Sequence, residues 1–233
     1  MIDHCKLVAG TLLSHVPGWI GARAENMALW AGRRIRLKQA EGQFEAELAR
    51  LDHGAICIDL GANLGEVTER LAQIAGHVHA FEPDPWTFAQ LQKRVGHLAN
   101  VTLHPAAAGP RDGTMIFHRD PQFAQDPTMR SQGTSAFRSD LWKAGGEQIE
   151  VEMIDFRRFL RELDRDVALV KIDIEGGEAA LLEALLDTPE ASRIEAIFAE
   201  THECHIRELR EPVARLRRRA KSLSRPRLYL DWH

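Results

Sequence analysis

Ala55-Ile56-Cys57-Ile58-Asp59-Leu60-Gly61-Ala62-Asn63-Leu64-Gly65 begins as an apolar, β-branched run and ends in a glycine turn. A compact apolar run closed by glycine reads as a strand covered on both faces. Val67, Leu71 and Ile74 follow at helical spacing, so the turn joins a strand to a helix. Outward from that unit the alternation repeats. His77–Phe81 reads as a second strand, and Phe88, Leu91, Val95 and Leu98 mark the helix behind it. Val101-Thr102-Leu103 is a third strand. Residues 167–174 form a fourth, with Leu181, Leu182, Leu185 and Leu186 on the helix after it. Ile194–Ala199 is a fifth and Arg227-Leu228-Tyr229-Leu230 the last. Strands alternating with helices specify an α/β fold, a doubly wound and mostly parallel sheet with helices on both faces. Residues 1–50 read as a helical N-terminal extension, with Met27, Ala28, Ala31, Ile35, Phe44 and Leu48 as apolar positions, and residues 51–233 as the α/β domain.

The 233 residues are 44% hydrophobic and 27% charged, which excludes collagen-like, disordered and low-complexity classes. Thirty-four acids against 30 bases leave a net charge of −4, so the basic excess of a nucleic-acid protein is missing. Cys5, Cys57 and Cys204 are too few and too scattered for a disulfide framework, which points to a reducing, cytoplasmic location. The apolar stretch over residues 7–20 is broken by Ser14, His15, Pro17 and Gly18, too short to span a bilayer. Asp3 and His4 stand where a signal peptide needs positive charge, so a helix packed on the domain is expected there.

In doubly wound sheets, ligands bind beyond the carboxyl ends of the strands where the order reverses. The Asp59–Gly65 turn belongs at that point, and Glu82 ends the next strand 21 residues after Gly61. A carboxylate so placed accepts hydrogen bonds from ribose hydroxyls, so a nucleoside is the expected ligand. A dinucleotide fingerprint needs glycine where Asn63 stands and a small residue where Glu66 stands. No lysine follows to make a phosphate loop. Asp59 would repel phosphate yet suits an ammonium group. S-adenosylmethionine, with its ammonium, sulfonium and unphosphorylated ribose, fits these features better than NAD. The competing reading gives the glycines a packing role alone. A Tyr-x-x-x-Lys hydride pair is excluded, because the single tyrosine is Tyr229.

Val170-Lys171-Ile172-Asp173-Ile174-Glu175-Gly176-Gly177-Glu178 closes the fourth strand with three acids and a lysine, a costly group to bury unless something binds there. This string, together with the Asp59–Gly65 turn and Phe81-Glu82-Pro83, resembles the FkbM family of S-adenosylmethionine-dependent methyltransferases. The resemblance covers roughly residues 56–199 and leaves residues 1–50 and the C-terminal tail without a match. It implies a Rossmann-like class I methyltransferase sheet and O-methylation of a hydroxyl on a sugar, polysaccharide unit or polyketide. It also implies that Asp59, Gly61, Ala62, Asn63 and Gly65 hold the methionine part of the cofactor and Glu82 the ribose. Ala106 or Ala107 would sit against adenine, and Asp173 would face the methyl group or the substrate.

An alcohol is a poor nucleophile until its proton is drawn away, which asks for a base or a metal within hydrogen-bond reach. The ends of the fourth and fifth strands supply Asp173 and Glu175, then Glu200 and His202. His202 or Asp173 is expected as the base, with Glu200 orienting its partner. Glu175 and Glu178 can be explained as acids favoured near a helix N-terminus, and His202 as a surface cap residue. Asp173, Glu200 and His202 have the mixed oxygen and imidazole character of a divalent-cation site, though a cation is not expected.

Between residues 114 and 152 two short strands, 115–118 and 149–153, flank a long polar loop, a length that marks lids and binding segments. Phe123, Phe137 and Trp142 alternate there with Arg130, Arg138 and Lys143, suited to a polar or anionic ring; a solvated loop whose aromatics close over the core explains them equally. Residues 207–227 hold nine basic residues on an amphipathic pattern. A solvated helix face is the plain reading and RNA binding the sharper one, which the acids around Asp173 oppose. The expected partner is therefore a small molecule bearing a hydroxyl, with no membrane span, nucleic acid only as the alternative, and a homodimer contact open to residues 1–50.

Overall fold

A computed structural model of the chain describes residues 37–131 and 146–232. The sequence readings that fall on residues 1–36 and on Phe137, Arg138, Trp142 and Lys143 lie outside the described residues. Helix α1 covers residues 37–48. It is followed by β1 (Ile56–Leu60), α2 (Glu66–Ala72), β2 (His77–Phe81), α3 (Pro85–Val95) and β3 (Val101–His104). Next come β4 (Ala107–Gly109), β5 (Gly113–His118), α4 (Pro127–Arg130), β6 (Gln148–Asp155) and α5 (Phe156–Leu163). The chain continues through β7 (Val167–Ile172), α6 (Glu178–Leu185), β8 (Ile194–Ala199), α7 (Arg210–Ala220) and β9 (Arg227–Tyr229).

The main sheet has the order β3-β2-β1-β7-β8-β9, and every neighbouring pair is parallel. The chain winds outward from β1 to β3, then returns beside β1 and winds the other way, so the order reverses between β1 and β7. That is the crevice in which doubly wound sheets bind ligands.

Strand alternation decides what each face receives. Ile56, Ile58 and Leu60 point to one side and pack in a single core with Phe156 and Leu160 of α5, Leu181 and Leu185 of α6, and Val213 and Leu216 of α7. Cys57 points the other way, into a cluster with Phe44 and Leu48 of α1, Leu71 of α2, Leu169 and Phe198. Helices therefore cover both faces, and α1 docks directly on the sheet. Leu98 lies beyond the end of α3 but still packs beneath it. Among the described residues, no helix is long and apolar enough to cross a membrane.

A second, three-stranded sheet breaks the alternation, in the order β4-β6-β5. The two short strands of the polar region pair antiparallel from Gly113↔Met153 to His118↔Gln148. The third member, β4, carries only Ala-Ala-Gly and is held by parallel pairing to β6. A Cβ on Gly109 would fall 2.3 Å from Met153 Sδ, so a larger residue there would displace that side chain. This small sheet stands over the carboxyl ends of β1 and β2 and walls the crevice.

Candidate active site

The turn after β1 is fixed by backbone geometry. Gly61 adopts φ +75°, and a Cβ on it would lie 1.7 Å from the carbonyl oxygen of Asp173. Gly61 is thus where the β1 turn crosses the end of β7. Its amide and that of Ala62 both donate to Phe81 O, at 3.0 and 2.9 Å, which ties the turn to β2. Asn63 holds φ +47°. Gly65 at φ +89° instead serves helix packing, since its Cβ would meet Leu91 Cδ1 of α3 at 2.7 Å.

Asp59 and Lys171 are register partners on β1 and β7 and share a face of the sheet. Asp59 is fully buried, accepts a hydrogen bond from Thr68 Oγ1 at 2.6 Å, and lies 3.2 Å from Lys171 Nζ. Lys171 Nζ also donates to Gly61 O at 2.6 Å and stands 3.8 Å from Asp173 Oδ2. Burial would lower the lysine's pKa, but Asp59 and Asp173 outweigh it and the pKa is raised. The carboxylate expected to hold the ligand's ammonium is therefore engaged below the turn, one layer behind the crevice. Lys171 is a residue whose part sequence reasoning missed: it clamps β1, the turn and Asp173 together.

Glu82 leaves β2 with both oxygens turned inward. Oε2 accepts the Asn63 amide at 3.0 Å and Oε1 the Asp84 amide at 2.9 Å. Burial pushes its carboxyl up to about 7 against the pull of these two amides. Asp84 in turn caps α3 through the Trp86 and Thr87 amides and pairs with Arg119 Nε at 2.6 Å. The segment that follows β5 is thereby pinned to the Glu82 loop.

Gly61, Asn63, Glu82, Ala106, Ala107 and Asp173 line one cavity of about 410 Å³, closed by Phe117 and Met153 of the small sheet. Ala62, Gly65 and Asp59 support it from outside the lining. Two of the lining residues, Asn63 and Asp173, each keep a buried oxygen, Oδ1, that makes no hydrogen bond. Such atoms cost free energy until a ligand donor meets them, and the apolar wall opposite suits a flat aromatic base.

Glu200 and His202 stand behind this lining at the end of β8, both buried. His202 Nε2 lies 3.3 Å from Glu175 Oε2 and 4.0 Å from Asp173 Oδ1, while Nδ1 lies 3.2 Å from Glu178 Oε1. Glu178 opens α6 and folds back to accept amides of Ile174 and Gly176 at 3.0 to 3.1 Å. Burial would lower the His202 pKa, but Glu178, Glu175 and Asp173 raise it overall. His202 is absent from the cavity lining, so it stands behind Asp173 rather than beside a bound acceptor as the expected base. Burial and the surrounding acids raise Glu175 despite His202. The donors that converge are Asp173, Glu178 and His202 rather than Asp173, Glu200 and His202, because Glu178 turns back from the first helical turn. Glu175 lines the cavity at φ +55°. The signal for both glutamates was the Glu-Gly-Gly-Glu run itself, which explains equally well as a helix start.

A doubly wound sheet with a cavity at its switch point, an acid closing β2 and an acid at the end of β7 is the architecture of the Rossmann-like methyltransferase class. The Methyltransferase FkbM domain model matches residues 59–220, and the chain belongs to that family of methyltransferases. Among solved structures, it is similar to a methyltransferase FkbM from Methylobacillus flagellatus at 18% identity and a TM-score of 0.36, covering 57% of this chain and 29% of that one. A precorrin-6y C5,15-methyltransferase from Geobacter metallireducens is similar at 15% identity and a TM-score of 0.39, over 80% of this chain and 68% of that one. A curated relative, the ribosomal RNA small subunit methyltransferase A of Rubrobacter xylanophilus, is 36% identical over 86 residues. The match spans 34% of this chain and only 33% of that protein's length.

Proposed function

We propose that the protein transfers a methyl group from S-adenosylmethionine to a hydroxyl of a small molecule, in the class of sugars, polysaccharide units or polyketides. The observation that carries this reading is that Asn63, Glu82 and Asp173 line one cavity with Gly61, Ala106 and Ala107 at the point where the strand order reverses. Each Glu82 oxygen keeps a lone pair for a ribose hydroxyl beyond the amide it already accepts. Asn63 and the turn around Gly61 would take the aminocarboxypropyl arm. Ala106, Ala107 and Phe117 would pack on adenine.

The reaction is an in-line displacement in which alignment supplies much of the rate. The acceptor oxygen bonds to the methyl carbon as the carbon–sulfur bond breaks and its electron pair returns to sulfur. The hydroxyl proton leaves toward Asp173, the carboxylate that both lines the cavity and reaches the acids behind it. Hydroxyl acceptors rest on the family resemblance and on this acid at the methyl end.

Calorimetric titration of S-adenosylmethionine tests the donor, with Asn63→Ala and Glu82→Gln as variants and NAD as the comparison ligand. Binding of S-adenosylmethionine, weakened about tenfold or more in each variant through loss of buried hydrogen bonds, is expected. Absence of binding in the wild type would sink the reading. Labelled methyl transfer to a panel of hydroxyl acceptors then tests the acceptor class.

RNA as acceptor is disfavoured by where the C-terminal arginines go. Arg215 pairs with Glu183 at 2.8 Å, Arg217 with Asp231 at 2.6 Å and Glu203 at 2.8 Å, Arg219 with Asp187 at 2.6 Å, and Arg227 with Glu47 at 2.7 Å. A stripe neutralised by its own fold offers little field to a phosphate backbone.

A further inference from the structure

The acids behind the cavity are more than methyl transfer from S-adenosylmethionine requires. Asp173, Glu178 and His202 each place one donor atom within 4.8 Å of the other two. Glu175 Oε2 adds a carboxylate 3.3 Å from His202 Nε2. Two atoms buried in the cluster, Asp173 Oδ1 and His202 Nδ1, make no hydrogen bond, although His202 is only 8% exposed. His202 Nδ1 comes within 3.2 Å of Glu178 Oε1 without the alignment of a hydrogen bond. Two ligands at right angles around an ion about 2.2 Å from each stand roughly 3.1 Å apart. Lys171 is the cation beside Asp173, and it is already engaged by Asp59 and the Gly61 carbonyl.

The geometry points to a divalent cation site formed by Asp173, Glu178 and His202, with Glu175 beside it. The inference rests on the methyl-transfer reading and deepens it. Mixed carboxylate and imidazole donors suit magnesium, manganese or zinc. Glu178 is oriented in advance by the Ile174 and Gly176 amides, the kind of support that keeps a ligand in place. Because Asp173 belongs to both the cluster and the cavity lining, an acceptor hydroxyl beside the transferable methyl would be within reach of the ion. Coordination lowers that hydroxyl's pKa. Its proton leaves to a carboxylate or water, and its oxygen then attacks the methyl carbon as before.

Manganese(II) titrated into the full chain and followed by electron paramagnetic resonance tests the site. One saturable site is expected, with a pulsed-resonance coupling to a histidine nitrogen. His202→Gln should abolish the coupling and weaken binding about tenfold or more, and Asp173→Asn should weaken it as well. Absence of saturable binding overturns the inference, as does binding and coupling unchanged in both variants. Circular dichroism melts identify a variant that fails to fold, and the other variant then decides. S-adenosylmethionine binding measured in chelator keeps the two readings apart. Cofactor binding without manganese binding overturns the cation site alone. Manganese binding with the nitrogen coupling but no cofactor binding supports the cation site and overturns the methyl-donor reading.

Discussion

At the scale of single residues, two glycines of one chain should respond to the same substitution in opposite directions. Gly61 holds φ +75° with the Asp173 carbonyl where a Cβ would be, 1.7 Å away. Gly61→Ala must therefore separate β1 from β7, and a loss of about 3 kcal/mol or more is expected from denaturant unfolding. Gly42 lies in α1, and a Cβ there would meet nothing within 4 Å. Gly42→Ala should stabilise by about 0.5–1 kcal/mol, since only helix entropy changes. On the proposed function, Glu82 should carry the pH dependence of S-adenosylmethionine binding. Its carboxyl lies at about 7 because burial disfavours the charge, and the ionised form is the better acceptor for ribose hydroxyls. S-adenosylmethionine affinity should then fall by up to about tenfold per pH unit below 7. Calorimetry at pH 6 and 8 checks this, and Glu82→Gln should flatten the difference.

At the scale of elements, the parallel strands were legible because short runs rich in apolar residues, several closed by glycine or an acid, alternate with segments of helical spacing. The Asp59–Gly65 turn and Glu82 were legible for the same reason, since each closes such a run. What the string around Lys171 did not reveal is which acid the lysine faces. That depends on the β1–β7 register, Asp59↔Lys171, between strands 110 residues apart in the Lys171–Gly61 contact. The pair makes a testable unit. Lys171→Met leaves Asp59 charged and buried without its cation, a loss of about 3–5 kcal/mol. Asp59→Asn alone leaves the lysine its Gly61 carbonyl and Asp173. Adding Asp59→Asn to Lys171→Met should recover much of the loss, because no buried charge is then unpaired. A double-mutant cycle by denaturant unfolding reads this coupling, and additivity would show that the strands meet without it. The small β4-β6-β5 sheet was only half legible. The β5 and β6 patterns could be read, but Ala107-Ala108-Gly109 has no strand signature and joins through backbone pairing alone.

At the scale of the whole molecule, charge closes the chain on itself. The basic stretch near the C-terminus resembled a nucleic-acid face because its acids come from elsewhere in the sequence: Glu47 on α1, Glu183 on α6, Asp187 after it and Glu195 on β8. Glu47 binds the last strand to the first described helix, accepting from Arg227 at 2.7 and 2.8 Å and from Tyr229 at 3.1 Å. Burial would raise its carboxyl, but these donors lower it overall. At the opposite edge, β2 and β3 place His79 Nδ1 3.2 Å from His104 Nε2. Burial, with the neighbouring His77, holds both near 4. The unfolded chain takes up these protons near 6.5 while the folded one resists them, so stability rises with pH between about 4 and 6.5 and is lost on acidification through that window. Glu47 acts lower, its contribution present above the ordinary carboxylate range and lost as pH falls through its depressed value. The histidine pair should therefore contribute a loss of about 1 kcal/mol per pH unit on acidification from about 6.5 to 5, after allowance for its partial exposure, while Glu82 and Glu175, both raised by burial, take up protons in the folded chain and oppose it over the same range. Relative to the wild type, the thermal unfolding midpoint of the His79→Phe/His104→Phe variant should rise as pH falls from about 6.5 to 5, because the histidine contribution alone is removed. An unchanged slope in the variant would place the acid limit of the fold somewhere other than the β2–β3 edge.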